Sequence, residues 1–112
     1  MRHCVLATWV GYAPGSRGTH MAYVFEWNLE KAQANHRKHG VRFAEAATVF
    51  GDVMGILSHD PDHSENEPRY LLLGRSDRGR LLVVAFAERP PRTRLISARQ
   101  ATPRERRSYE EA

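Results

Sequence analysis

Residues 70–87 read YLLLGRSDRGRLLVVAFA, two apolar runs of strand length with a turn between them. The second run carries Val83, Val84 and Phe86, side chains that suit a pleated, half-buried surface. Asp77-Arg78-Gly79 supplies turn chemistry at hairpin length. Working outward, residues 53–58 and 94–99 are further strand-like runs, and Pro90-Pro91 sits in the short link before the last of them. Strands joined so briefly leave no room for helical crossovers, so the expected sheet is antiparallel.

Upstream, residues 23–27 are aromatic and β-branched enough for a short strand, and Asn28 is a good N-cap for a helix opening at Leu29 and stopping at Gly40. Phe43, Ala46, Ala47 and Phe50 then fall at i, i+3, i+4 and i+7, one apolar stripe of a second helix that Gly51 ends. Downstream, Thr102, Pro103 and Glu105 form a capping box with proline at the first helical position. The order strand, two helices, four strands, helix predicts an α+β fold: an antiparallel sheet with two N-terminal helices and one C-terminal helix, the helices gathered on one face. Residues 1–20 show neither period and end in a run of Pro, Gly and Ser, so they are expected to form a disordered extension before a domain at 21–112.

Charge is segregated along the chain. Residues 44–68 hold six acids and no lysine or arginine, whereas residues 69–112 hold eleven arginines against five acids. With a net charge of +4, this suits a polyanionic partner. The single cysteine, Cys4, excludes an intrachain disulfide and fits a reduced, cytoplasmic setting. No apolar run reaches the roughly 18 residues of a spanning helix, which argues against a membrane protein.

Several clusters could carry chemistry. Lys31, Asn35, Lys38 and His39 share an arc of about 100 degrees on the first helix, a polar, cationic face. Residues 59–67 place His59, His63 and four carboxylates together, ligands enough for a divalent metal, but their spacing matches no specific metal motif. His63 titrates in a range that suits proton transfer. Arg69, Arg75, Arg80 and Arg99 stand near strand ends or turns, where a guanidinium can reach phosphate with paired donors. On the last helix Arg104, Arg106 and Arg107 could track an RNA backbone or pair with glutamates, and Tyr109 reads as a packing residue.

Taken in order, these pieces resemble the BrnT family of type II toxins. The resemblance rests on Phe25-Glu26-Trp27-Asn28, Lys31, Asn35, Lys38-His39-Gly40-Val41, Phe43, Glu45-Ala46 and Val49-Phe50. It continues through Asp60-Pro61-Asp62-His63-Ser64, Arg69, Gly74-Arg75-Ser76 and residues 79–84, then Ile96-Ser97-Ala98-Arg99, Ala101-Thr102, Glu105-Arg106 and Tyr109-Glu110. It departs at the extra N-terminal residues and at Asn28, where the family often has Asp. It implies a RelE-like fold and an endoribonuclease without a metal or other cofactor, held inactive by a ribbon-helix-helix antitoxin, BrnA, through which alone it would reach operator DNA. With the resemblance, Arg75 and Arg99 are assigned to the phosphate and His63 to proton transfer. Lys31, Lys38, His39, Arg69, Arg80, Arg104 and Arg107 are assigned to RNA binding. The competing readings are a non-catalytic binding module and a metal-dependent nuclease centred on the acidic loop.

Overall fold

The computed structural model describes residues 4–12, 20–60 and 67–112. Its elements are β1 (Cys4–Tyr12), β2 (His20–Asn28), α1 (Leu29–His39), α2 (Phe43–Thr48) with a 3₁₀ turn (Val49–Gly51), β3 (Ile56–His59), β4 (Arg69–Arg75), β5 (Leu81–Arg89), β6 (Arg92–Gln100) and α3 (Pro103–Glu111). The strands form one sheet in the order β1-β2-β6-β5-β4-β3. The fold is α+β, as expected from the pattern of runs.

Local signals set the helix ends. The Asn28 side chain accepts from the Lys31 amide at 3.0 Å, occupying one donor that the first turn leaves free. Gly40 closes α1 at φ 71, in the left-handed region that a side chain disfavours. Thr102 and Glu105 complete the capping box of α3, with Pro103 behind the cap.

Three features differ from the sequence reading. Residues 4–12, expected to be part of a disordered extension, form β1 and pair antiparallel with β2 over nine register pairs, from Cys4 with Asn28 to Tyr12 with His20. The sheet is not wholly antiparallel: β2 and β6 run parallel, matched over Val24–Glu26 and Arg92–Arg94, because α1, α2 and the β3–β5 meander intervene and bring the chain back in the same direction. Finally, the helices do not share one face. α1 and α2 cover one side, and α3 lies on the other, against Arg75 and Arg99.

The core fills the space between the sheet and the first two helices. Phe25, Leu82, Val84, Phe86, Leu95 and Ala98 meet Val41, Phe43, Ala46 and Val49 there. Phe50 sits edge-on to both Phe25 and Phe86, with centroids 5.0 and 4.9 Å apart, an arrangement favoured by the ring quadrupoles. In an undistorted strand Leu95 and Ala98, three apart, would point to opposite faces. A register shift opposite Ala85 and Phe86 inserts one residue into β6 and returns both to the core.

Asn35 fastens α1 to the sheet. Its Nδ2 donates to the Val41 and Ala98 carbonyls at 2.9 Å each, and its Oδ1 accepts from the Ala98 amide at 3.1 Å. It is buried, so the expected polar face of α1 is divided: Asn35 points inward while Lys31 and Lys38 reach solvent beside it.

Candidate active site

In an antiparallel ladder, paired residues project to the same face and successive residues alternate. With Tyr70, Leu72, Leu82, Val84 and Phe86 turned toward the helices, the register puts Arg69, Leu71, Leu73 and Arg75 of β4 on the other face. Leu81, Val83, Ala85 and Ala87 of β5 join them, with Arg94, Ser97 and Arg99 of β6. This second face carries two of the three proposed catalytic residues, and α3 touches both.

Arg75 is held from several directions. Its amide donates to Asp52 Oδ2 at 2.7 Å, and its Nη1 donates to the Gly79 carbonyl at 3.2 Å. Its guanidinium carbon lies 5.4 Å from the centroid of the Tyr109 ring, within the range of a cation–π contact. The Tyr109 hydroxyl donates to the same Asp52 Oδ2 at 2.6 Å, and Asp52 Oδ1 accepts from the Met54 amide at 2.9 Å. Asp52 therefore joins β4, α3 and the turn before β3. Its approach needs a residue without a side chain at Gly74, where a Cβ would lie 2.9 Å from Val49 Cγ1 and 3.1 Å from Asp52 Oδ2. Burial pushes the Asp52 carboxyl up, but the hydrogen bonds from Tyr109, Arg75 and Met54 together outweigh it and leave the group below its ordinary value. Burial, and then the Asp52 partner, raise the Tyr109 phenol. Tyr109 thus acts at neutral pH as a proton donor in a hydrogen bond, not as a base.

Arg99 forks onto Glu105, with Nη1 and Nη2 at 2.8 and 2.9 Å from its two oxygens. That fork, the largest cause, together with the Thr102 amide, holds the Glu105 carboxyl down to about 2 against the opposing effect of burial. The fork raises the Arg99 guanidinium in turn, so Arg99 is a cation across the physiological range. An open cleft of about 340 Å³ beside Arg75 is lined by Thr48, Gly51, Asp52, Ser76 and Asp77 as well.

The remaining sequence candidates scatter. Arg69 lies on the arginine face, at the end of β4 away from Arg75. Arg80 is committed inward: it donates to Glu45 through Nε and Nη2 at 2.9 and 2.6 Å and to the Gly40 carbonyl at 3.1 Å. Lys31, Lys38 and His39 belong to α1, on the helical side, and the structure does not bring them to Arg75 and Arg99. Arg104 and Arg107 are exposed on α3. His63 and most of the acidic loop fall outside the described residues. Glu67 pairs with Arg89 at 3.7 Å.

A family model described as the ribonuclease toxin, BrnT, of type II toxin-antitoxin system matches residues 27–105. The chain belongs to the BrnT family. No curated protein matches it closely enough to add a relative. BrnT proteins are ribonuclease toxins, so RNA as substrate and an antitoxin protein as partner come with membership. Among the described residues no helix is long and apolar enough to cross a membrane.

Sequence reasoning overlooked Asp52 and took Tyr109 chiefly for a packing residue with its hydroxyl at the rim. Their link spans 57 positions and leaves no local signal. Glu105 was legible as a capping residue, yet its second partner, Arg99, becomes visible only when α3 is seen to fold back over β6.

Proposed function

We propose that this BrnT protein is a metal-independent endoribonuclease with a RelE-like fold, neutralised in the cell by a BrnA-like ribbon-helix-helix antitoxin. What supports the reading is that Arg75 and Arg99 share one sheet face and each touches α3, in a chain whose family cleaves RNA. In the proposed reaction the ribose 2′-hydroxyl attacks the adjacent phosphorus and loses its proton to a base. The bond to the 5′ oxygen breaks, and that oxygen takes up a proton. The products are a 2′,3′-cyclic phosphate and a 5′-hydroxyl. Arg75 and Arg99 stabilise the charge that builds on the phosphoryl oxygens, since guanidinium stays protonated and offers paired donors. Arg99 does so by sharing its fork between Glu105 and the phosphate. His63 is the proton-transfer group, and the acidic loop at residues 59–67 holds no metal for the chemistry.

The test is cleavage of RNA by the purified protein in excess chelator, with the product ends identified. Activity should persist and the ends should be those named. Arg75→Ala and Arg99→Ala should each slow cleavage by about a hundredfold or more, and His63→Ala should lower the rate and alter its pH profile near neutrality. Complete loss in chelator, restored by added metal, would move the chemistry to the acidic loop. In cells, expression should slow growth and co-expression of the antitoxin should restore it.

A further inference from the structure

The arginine face has a second end. Register places Arg69, Ala87 and Arg94 in one row across β4, β5 and β6, with Ala87 fully buried between the two arginines. Arg89 and Arg92 stand next to this row, and the acids available there are already engaged. Glu26 lies 3.5 Å from Arg89 and 3.6 Å from Arg92, and Glu67 lies 3.7 Å from Arg89. Glu26 neighbours Arg94 in the β2–β6 register, yet its carboxylate turns to the other two. Arg69 and Arg94 are left without an acidic partner among the described residues. The Nε of Arg69 is buried and makes no hydrogen bond. A buried donor without an acceptor is costly, and an anionic oxygen that reached it through a small shift of the side chain would remove the cost.

We propose that Arg69 and Arg94 form a second phosphate-binding pole, and that the substrate is a single strand of RNA lying along β4–β6 from this pole to Arg75 and Arg99. This rests on the ribonuclease reading above. Six residue steps separate Arg69 from Arg75 on β4, about 20 Å at the rise of a strand. The same length corresponds to about six nucleotides of stacked strand, and fewer when extended. Between the poles the face offers Leu71, Leu73 and Ala85, half-buried apolar side chains against which unpaired bases can lie. A duplex keeps its bases stacked inside and presents mainly sugar and phosphate, so this floor favours the single strand.

The test uses two fluorescent, uncleavable 2′-O-methyl RNAs, a trimer and a decamer, titrated by anisotropy over a range of salt. Arg69→Ala and Arg94→Ala should each weaken decamer binding about tenfold and reduce its salt slope by about 0.7. Trimer binding, too short to join the poles, should stay as in the parent protein, and Arg94→Lys should restore the salt slope. Equal losses for trimer and decamer, or an unaffected decamer, would overturn the proposal, as would a duplex of the same sequence binding as tightly as the single strand. If Arg69→Ala fails to fold, as a urea melt would reveal, Arg94→Ala decides alone. A protein that cuts no RNA yet loses decamer binding selectively keeps this inference and ends the nuclease reading. One that cuts RNA while both variants bind the decamer like the parent does the reverse.

Discussion

Replacing Arg80 by alanine separates two roles for an arginine that the sequence offered to RNA. Its guanidinium makes two hydrogen bonds to Glu45, whose side chain is 7% exposed against 31% for Arg80, and a third to the Gly40 carbonyl. Ser76 also donates to Glu45, at 2.7 Å. Removing one partner of a fully buried pair costs about 3 to 5 kcal/mol because the remaining charge is stranded. Arg80 reaches water and Ser76 keeps its bond, so the expected loss is about 2 to 4 kcal/mol. The pH dependence carries a sign. In the parent protein the hydrogen bonds from Arg80, foremost, hold the Glu45 carboxyl below its ordinary value despite burial. The pair therefore stabilises the fold above the unfolded value of 4.5, and this is lost as pH falls through the lower folded value. Without Arg80 the largest cause of that lowering is gone, so the variant's deficit should be full at pH 7 and smaller at about pH 4. Urea melts at both pH values provide the assay, and adding Glu45→Gln should recover part of the loss at neutral pH. An unchanged midpoint accompanied by weakened RNA binding would refute the reasoning and make Arg80 a nucleic-acid contact.

Thr102→Ala should cost about 0.5 to 2 kcal/mol in urea melts through loss of the α3 cap, with little direct effect on RNA affinity. Asn35→Ala should cost about 2 to 4 kcal/mol by the same measurement, since it strands the Val41 carbonyl and both backbone groups of Ala98. Glu105, with a folded value of about 2 against 4.5 unfolded, contributes stability that is complete above about pH 4.5 and lost as pH falls toward 2. Glu105→Gln should flatten the stability profile in that window, read from melts at stepped pH.

What was legible in the sequence was local. The caps at Asn28 and Thr102, the stop at Gly40 and the run through β5 are each decided by neighbours within four positions, and the structure has them where expected. The strand ends shifted, β3 most of all: the run at 53–58 becomes Ile56–His59 because Asp52 draws the Met54 amide into a turn. Non-local choices were hidden. Nothing in the first helix says which residue of the arc holding Lys31, Asn35 and Lys38 faces inward, since the answer depends on Ala98, 63 positions away. β1 lacks alternation and is ordered by its pairing with β2. Arg94 was passed over because its place beside Arg69 depends on aligning three strands and allowing for the inserted residue in β6.

The parallel junction between β2 and β6 has a consequence for how the protein opens. β1 and β2 hold each other over nine register pairs, while β2 meets the rest of the sheet over three. Among the described residues the hairpin is therefore anchored to the body less by its backbone ladder than by side chains of β2, with Phe25 and Trp27 set into the core and Glu26 paired to Arg89 and Arg92. Such a unit is expected to detach as a whole. Its amides should exchange with solvent through a shared opening of lower free energy than global unfolding, and those of β5, bonded on both sides and buried on both faces, should exchange last.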